Sequence, residues 1–191
     1  MKQLFFSHNW GRDNLDRDNH DRVRQIAHKI ALHGWSIWLD ESEMVGNIDA
    51  CMAKGIDDCD CVIVCITESY CRKINETARN PRKRDNCLKE WNYACNRGKL
   101  MIPIIMEPYM LDPSKWPSGI VPLHLGSTLY LDASNDDIVG KCIFSLNRML
   151  HHYGVFPVQP ILRVKKVSYK SRFYIRRKSK TLPNILREVR L

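Results

Sequence analysis

The stretch Cys61–Ile66 reads CVIVCI, six consecutive apolar residues. A strand with one solvated face alternates apolar and polar residues, whereas a strand in the middle of a parallel sheet is covered on both faces and reads as an unbroken apolar run. The stretch therefore predicts a buried strand at the centre of a parallel sheet.

Short apolar runs and amphipathic stretches alternate on both sides of this strand. The other predicted strands are Leu4–Ser7, 35–39, 100–106 and a weaker one at 128–131. The predicted helices are 21–33, 49–57, 86–95 and 137–151, and the stretch 72–84 is interpreted as a polar connection. Pro103 lacks an N–H donor, so its strand is expected nearer an edge of the sheet than CVIVCI. The alternation predicts an α/β fold, a central parallel sheet flanked by helices.

Length and charge divide the chain. The 191 residues, 44% of them hydrophobic, suit one globular domain with an appendage. Residues 1–160 hold 19 Lys and Arg against 20 Asp and Glu, whereas residues 161–191 hold 11 against one. We therefore expect a domain over 1–152 and a basic C-terminal extension over 153–191, with the excess positive charge in the extension.

The cysteines and the apolar runs indicate a cytoplasmic protein. Most of the eight cysteines lie in apolar segments, where a reduced cysteine behaves as a small hydrophobic residue. No CxxC pair or suitably spaced histidine predicts a metal site. No apolar stretch approaches the roughly 18 residues of a membrane span, and too few residues precede the first apolar run for a signal peptide.

Candidate site residues come from the carboxyl ends of the predicted strands, where open α/β sheets bind ligands. The segments that follow those ends are HNWGRDNLDRDN, DESEMVGN and TESY. The predicted helix NCLKEWNYAC begins at the same edge, and Glu90 lies roughly 100° from the centre of its apolar face. The residues alone leave three alternatives for Glu90: lining a cleft, contacting solvent, or pairing with a cation of 72–84.

Four segments, in this order and spacing, resemble the Toll/interleukin-1 receptor (TIR) domain family. They are FFSHNW, LDESEMVGNI, CVIVCITESY and NCLKEWNYACNRGKLMIPII. The resemblance covers residues 2–152 and implies a flavodoxin-like sheet of about five parallel strands. The last segment resembles the NAD-cleaving TIR enzymes, in which a glutamate of this helix is catalytic and corresponds to Glu90.

The resemblance implies an NAD⁺ glycohydrolase with NAD⁺ as substrate and no cofactor. Its products would be nicotinamide and ADP-ribose or a cyclic isomer, in immune or cell-death signalling, with activity promoted by self-association. A single carboxylate suffices, because neutral nicotinamide leaves a cationic pyridinium without a general acid, and the oxocarbenium-like ribosyl centre needs only a stabilising negative charge.

The resemblance implies a set of substrate-binding residues, which we expect near Glu90. They are His8, Asn9, Trp10, Asp40, Gly46, Asn86 and Cys87. Trp10 offers a ring face for nicotinamide or adenine, and Asn9 or His8 a hydrogen bond to the carboxamide or ribose. Trp10 as a packing anchor and His8 as a surface histidine are the structural alternatives. No GxGxxG follows a predicted strand, so loop amides and Arg12 are the candidate phosphate ligands.

Two other interpretations stay open. The chain could be a non-catalytic TIR–TIR interaction module that recruits other TIR proteins through residues 40–47, although the glutamate favours the enzyme. The basic segment 161–191 interleaves cations with aromatic residues, which suits an anionic membrane or a nucleic acid. It could equally be a solvated extension or a nuclear localisation signal.

Overall fold

The computed structural model describes residues 3–39, 46–80 and 82–158. Their centre is a sheet of five parallel strands in the order β2-β1-β3-β4-β5. The strands are β1 Leu4–Ser7, β2 Ile37–Trp38, β3 Cys61–Ile66, β4 Leu100–Ile105 and β5 Leu131–Asp132. The helices are α1 Asn19–Ala31, α2 Ile48–Asp58, α3 Glu68–Arg79, α4 Asn86–Asn96, α5 Ile120–Leu125 and α6 Val139–His152. The predicted fold class is confirmed.

The central position of β3 is confirmed. All six of its residues are buried, and it pairs with β1 on one side and β4 on the other. β4 lies one strand from the edge, and the edge strand β5 pairs only with Ile104 and Ile105. Pro103 precedes that short ladder, so its missing N–H removes no bond to β5.

Two apolar layers cover the sheet, because successive residues of each strand point to opposite faces. Leu4 and Phe6 pack with α1 and α6 on one face. Phe5 packs on the other face with α2, α3 and α4, and its ring stacks on Trp38 at 4.2 Å between centroids. Both faces of the sheet are therefore shielded from solvent by helices.

The interpretation of 72–84 as a polar connection is wrong over most of its length. Helix α3 runs to Arg79, capped by Thr67, whose side chain accepts a hydrogen bond from the Tyr70 backbone N–H. Tyr70, Cys71 and Ile74 bury one face of the helix against the sheet. Polar residues fill the remaining faces of α3 and obscure the helical period in the sequence. The short helix α5 was also not predicted.

The ends of several elements differ from the predictions. Helix α1 begins two residues early, because Asp18 accepts a hydrogen bond from the Asp21 backbone N–H and sets the first turn. Gly34, just beyond the helix, has a positive φ of 88°, which glycine adopts without strain. Strand β2 is shorter than predicted, and β5 begins three residues later than predicted.

Several other features complete the description. All eight cysteines are free thiols. Among the helices within residues 3–39, 46–80 and 82–158, none has the length and apolar character that a membrane span needs. Beyond α6, Val155 packs against the core. Asp40 and the basic segment 161–191 lie outside the described residues, so the predicted division at residue 152 stays a prediction.

Candidate functional site

A buried chain of hydrogen bonds lies at the carboxyl end of β1. The Ser7 hydroxyl donates to Glu90 Oε2 at 2.7 Å and lies 2.9 Å from the Tyr70 hydroxyl. Since the single Ser7 proton is committed to Glu90, Tyr70 is the donor to Ser7. Burial raises the pKa of Tyr70 well above its ordinary value, which keeps this donor protonated.

Glu90 is more deeply buried than its position on the helical wheel indicates. The sequence places it on the shoulder of a half-buried helix, yet only 7% of the residue is exposed. The reason is that α4 packs against α2, α3 and β1 together, so more than one face of the helix is covered. A carboxylate in such a site is fixed in direction by its donors.

Glu90 reaches a cleft of about 300 Å³ at this edge of the sheet. The lining residues come from the loop after β1, from α3 and from the start of α4. They are His8, Trp10, Lys73, Arg84, Asp85, Asn86, Cys87 and Glu90. Aromatic, cationic and carboxylate side chains thus share one open space.

The aromatic wall of the cleft is a stacked cluster. His8 Nε2 lies 2.7 Å from His20 Nδ1, which ties the loop to α1. The Trp10 ring stacks on His20 with centroids 3.9 Å apart and planes 17° apart. Trp10 is 56% exposed, so this indole is braced from behind and still accessible to a ligand.

Asn9 anchors the start of the loop that follows β1 through hydrogen bonds to neighbouring side chains. Its Oδ1 accepts from the Thr67 hydroxyl at 2.7 Å, and its Nδ2 donates to the Ser69 hydroxyl at 2.7 Å. Its backbone carbonyl accepts from Asn19 at 2.7 Å. These bonds join the exits of β1 and β3, and the buried Asn9 amide lies behind the cleft wall.

Two buried carboxylates hold the rest of the loop. Asp13 accepts from the Arg17 Nε at 2.7 Å and pairs with Arg22 at 3.3 Å. Burial acts to raise the pKa of Asp13, but the hydrogen bonds from Arg17 and from the Leu15 backbone hold it below its ordinary value. Glu107 accepts from the backbone N–H groups of Asn14 and Glu68.

The opposite wall of the cleft forms around the start of α4. Asp85 Oδ1 caps this helix by accepting from the Cys87 backbone N–H at 2.9 Å, and Oδ2 lies 3.0 Å from Lys73 Nζ. Burial, and then the charge of Glu90, raise the pKa of the Cys87 thiol well above its ordinary value. Cys87 therefore stays a thiol, with Sγ donating to the His8 carbonyl at 3.4 Å, and it is not a thiolate nucleophile.

A second cavity, of about 180 Å³, lies on the other side of Glu90 between α2 and α4. Its walls are mostly apolar, with Met52, Ile56 and Tyr93 among the lining residues. The ion pair between Lys89 and Asp49, at 2.6 Å, joins the two helices beside it. Glu90 thus lies between a polar cleft and a mostly apolar cavity and lines both.

The structure brings together five of the eight predicted site residues. His8, Trp10, Asn86, Cys87 and Glu90 line the cleft. The other three differ in position. Gly46, with a φ of 90°, lies just before α2, Asn9 is behind the wall, and Asp40 lies outside the described residues. Arg12, the candidate phosphate ligand, bonds to Asp16 at the surface.

Several residues at the site were not predicted. They are Ser7, His20, Tyr70, Lys73, Arg84 and Asp85. Ser7 ends the first strand and Asp85 precedes a helix, so their positions carried a signal. Tyr70 ends the segment TESY that follows β3, so its position also carried a signal. Lys73 carried none, because 72–84 was interpreted as a polar connection.

A sequence model of the TIR domain matches residues 4–141. The chain belongs to the TIR domain family. It is similar to the TIR domain of the Toll-related receptor TRR-2 from Hydra magnipapillata, at 15% identity and a TM-score of 0.52 over 79% of this chain and 99% of that one. It is also similar to the TIR domains of the activated Roq1 resistosome, which recognises the pathogen effector XopQ. There the identity is 14% and the TM-score 0.53, over 78% of this chain and 99% of the other.

At these identities the two solved structures support the fold of this TIR domain. No curated protein matches the chain. The family and the fold predicted from FFSHNW, CVIVCI and the Glu90 helix are therefore confirmed, whereas the chemistry of the cleft is argued from its own residues.

Proposed function

We propose that this TIR domain is an NAD⁺ glycohydrolase with Glu90 as its catalytic carboxylate. The observation that carries the proposal is the buried carboxylate of Glu90, held by Ser7 at 2.7 Å and open to a cleft with an accessible indole. The resemblance of the α4 segment to NAD-cleaving TIR enzymes agrees with this assignment.

The reaction breaks the bond between the ribose C1′ and the pyridinium nitrogen of NAD⁺. The bonding electron pair goes to nicotinamide, which leaves neutral, and positive charge develops on the ribosyl centre. Water then bonds to C1′ and releases one proton, which gives ADP-ribose. Attack by an adenine nitrogen of the same molecule in place of water gives a cyclic isomer and also releases one proton.

Glu90 would stabilise the positive charge that develops on the ribose. A carboxylate already oriented by a hydrogen bond needs no reorganisation when the charge appears, and a site shielded from water strengthens its effect. The Tyr70-to-Ser7-to-Glu90 chain is suited to fix this orientation. Trp10, braced by His20, would stack on the nicotinamide ring, whose positive charge an indole face attracts.

We place this activity in cytoplasmic signalling, in immunity or cell death, and expect self-association to promote it. The TIR domains of Roq1 belong to an activated resistosome. In this protein, residues 40–47 carry the expected contact with a second TIR domain, of the same or another chain.

The test is NAD⁺ consumption by the purified protein at high concentration, with products separated by chromatography. Glu90→Gln keeps the size of the side chain and removes its charge, so we expect the rate to fall at least about 100-fold. The matched control is Glu76→Gln, on α3, which changes an exposed glutamate paired with Lys83 and leaves the cleft lining intact.

Two results would overturn this proposal. A wild-type protein that is folded and assembled yet releases no nicotinamide would identify a non-catalytic TIR–TIR interaction module. Equal rates for wild type and Glu90→Gln would place the chemistry elsewhere.

A further inference from the structure

We infer that Lys73 and Arg84 form an anion subsite of the cleft that binds the diphosphate of a dinucleotide. The inference rests on the proposed function and adds to it the part of the substrate that this wall would recognise. It starts from the positions of the two cations, which line the same cleft as Glu90 but come from α3 and from the connection before α4.

Lys73 is held in place rather than loosely solvated. Its Nζ lies 3.0 Å from Asp85 Oδ2, while the other oxygen of Asp85 caps α4. An ammonium group has three donors, and Asp85 accepts one of them, so two stay available to an anion. Burial acts to lower the pKa of Lys73, but the carboxylates of Asp85 and Glu90 raise it above the ordinary value, so the group carries its charge.

Arg84 adds a second cation to the same wall. The neighbouring cations Arg72 and Lys83 are paired with Glu68 and Glu76. Arg84 is exposed and forms no ion pair with the residues that the structure describes. A guanidinium matches two phosphate oxygens at once, so its charge and its donors suit a diphosphate.

The start of α4 adds to this positive potential. Asn86 and Cys87 are the first residues of an eleven-residue helix and also line the cleft. A helix N-terminus carries a partial positive charge. Two cations and a helix N-terminus thus line one part of the cleft, where Asp85 offsets part of the charge of Lys73. Glu90 supplies the negative charge that a ribosyl cation requires. A ligand with both a cationic ring and a diphosphate, as in NAD⁺, matches both.

The kinetic test compares NAD⁺ with nicotinamide riboside, which has the same scissile bond and no phosphate. For Arg84→Ala and Lys73→Ala we expect kcat/KM for NAD⁺, relative to that for the riboside, to fall about tenfold, the size of one charge-assisted hydrogen bond. The fall in kcat/KM should come mainly from a higher KM for NAD⁺. Lys83→Ala, one residue away and outside the cleft lining, should leave the ratio within twofold of wild type.

An unchanged ratio in both Arg84→Ala and Lys73→Ala would overturn the subsite while leaving the glycohydrolase intact. Because Lys73→Ala also removes the partner of Asp85, the exposed Arg84 is the cleaner position. Lys73→Arg, which retains the charge, should restore at least half of the loss on a logarithmic scale if charge is what matters.

A binding measurement separates the subsite from the reaction. Calorimetry with ADP-ribose on the Glu90→Gln protein, with and without Arg84→Ala, should show about tenfold weaker binding when the arginine is removed. Equal affinities, or no binding in either protein, would overturn the subsite. This result does not depend on turnover, so the absence of NAD⁺ cleavage would reject the proposed function alone.

Discussion

Ser7 connects the carboxylate of Glu90 with the phenol of Tyr70, and one hydroxyl group serves both neighbours. Replacing Ser7 with alanine removes a donor to Glu90 and the acceptor of a buried phenol. We expect the free energy of unfolding to fall by about 1–3 kcal/mol, because a buried polar group loses its partner. We also expect kcat for NAD⁺ cleavage to fall about tenfold, since the carboxylate loses an orienting bond.

Tyr70→Phe is the control for this prediction. It removes the Tyr70 hydroxyl and leaves the hydrogen bond between Ser7 and Glu90 in place. The free energy of unfolding should therefore fall, whereas kcat should fall less than in Ser7→Ala. Urea unfolding and initial rates on both variants separate the two effects. A normal kcat in Ser7→Ala would mean that Ser7 stabilises the fold without orienting Glu90.

Asp13 gives the first loop a stability that depends on pH. Burial acts to raise its pKa, but the hydrogen bonds from Arg17 and Leu15 leave the folded-state value below the ordinary one. Its contribution to stability is therefore present above pH about 4 and is lost as the pH falls through the lowered pKa. Asp13→Asn should lower the free energy of unfolding at pH 7. The difference in free energy of unfolding between this variant and wild type should become smaller in acid. Urea unfolding from pH 7 to pH 3 measures this, and a pH-independent difference would contradict it.

At the scale of elements, the sequence predicts the strands and helices whose apolar residues form a clear local pattern. The unbroken run of β3 requires cover on both faces, so its position in the sheet followed from six residues. The stripe Cys87, Trp91 and Ala94 likewise predicted α4. Helix α3 was missed because its apolar residues are few and the rest of its surface is charged.

The site was predictable only in part, since its contacts join distant parts of the chain. Ser7 and Glu90 are 83 residues apart, and the pair is made by the packing of α4 against β1. No local period indicates that packing, nor the burial it imposes on Glu90. The resemblance to a family pointed to Glu90 as the candidate, whereas its bond to Ser7, and that of Ser7 to Tyr70, required the structure.

Gly55 tests how α2 packs on the sheet. A Cβ at this position would lie 2.7 Å from Trp38 Nε1, and Trp38 is itself stacked on Phe5. We expect Gly55→Ala to lower the free energy of unfolding by about 1–3 kcal/mol, the usual cost of overpacking. The control is Gly140→Ala in α6, where nothing lies within 4 Å of the added atom. Gly140→Ala should be neutral or should stabilise the protein by up to about 1 kcal/mol. Equal urea midpoints for Gly55→Ala and Gly140→Ala would contradict the close packing of α2 on Trp38.

At the scale of the whole molecule, we expect activity to depend on association. If a second copy completes the site, the rate per molecule rises with protein concentration until assembly is saturated. Initial rates over a hundredfold range of concentration, with light scattering on the same samples, test this. A constant rate per molecule from a protein that stays monomeric would show that one chain holds the complete site.

The central claim is that Glu90 makes this TIR domain an enzyme, and the most direct measurement is nicotinamide release from NAD⁺ by wild type, Glu90→Gln and Glu76→Gln at one high protein concentration. We predict release by wild type and Glu76→Gln and a rate at least about 100-fold lower for Glu90→Gln. Equal release by all three folded proteins, or none by any of them, would contradict the claim.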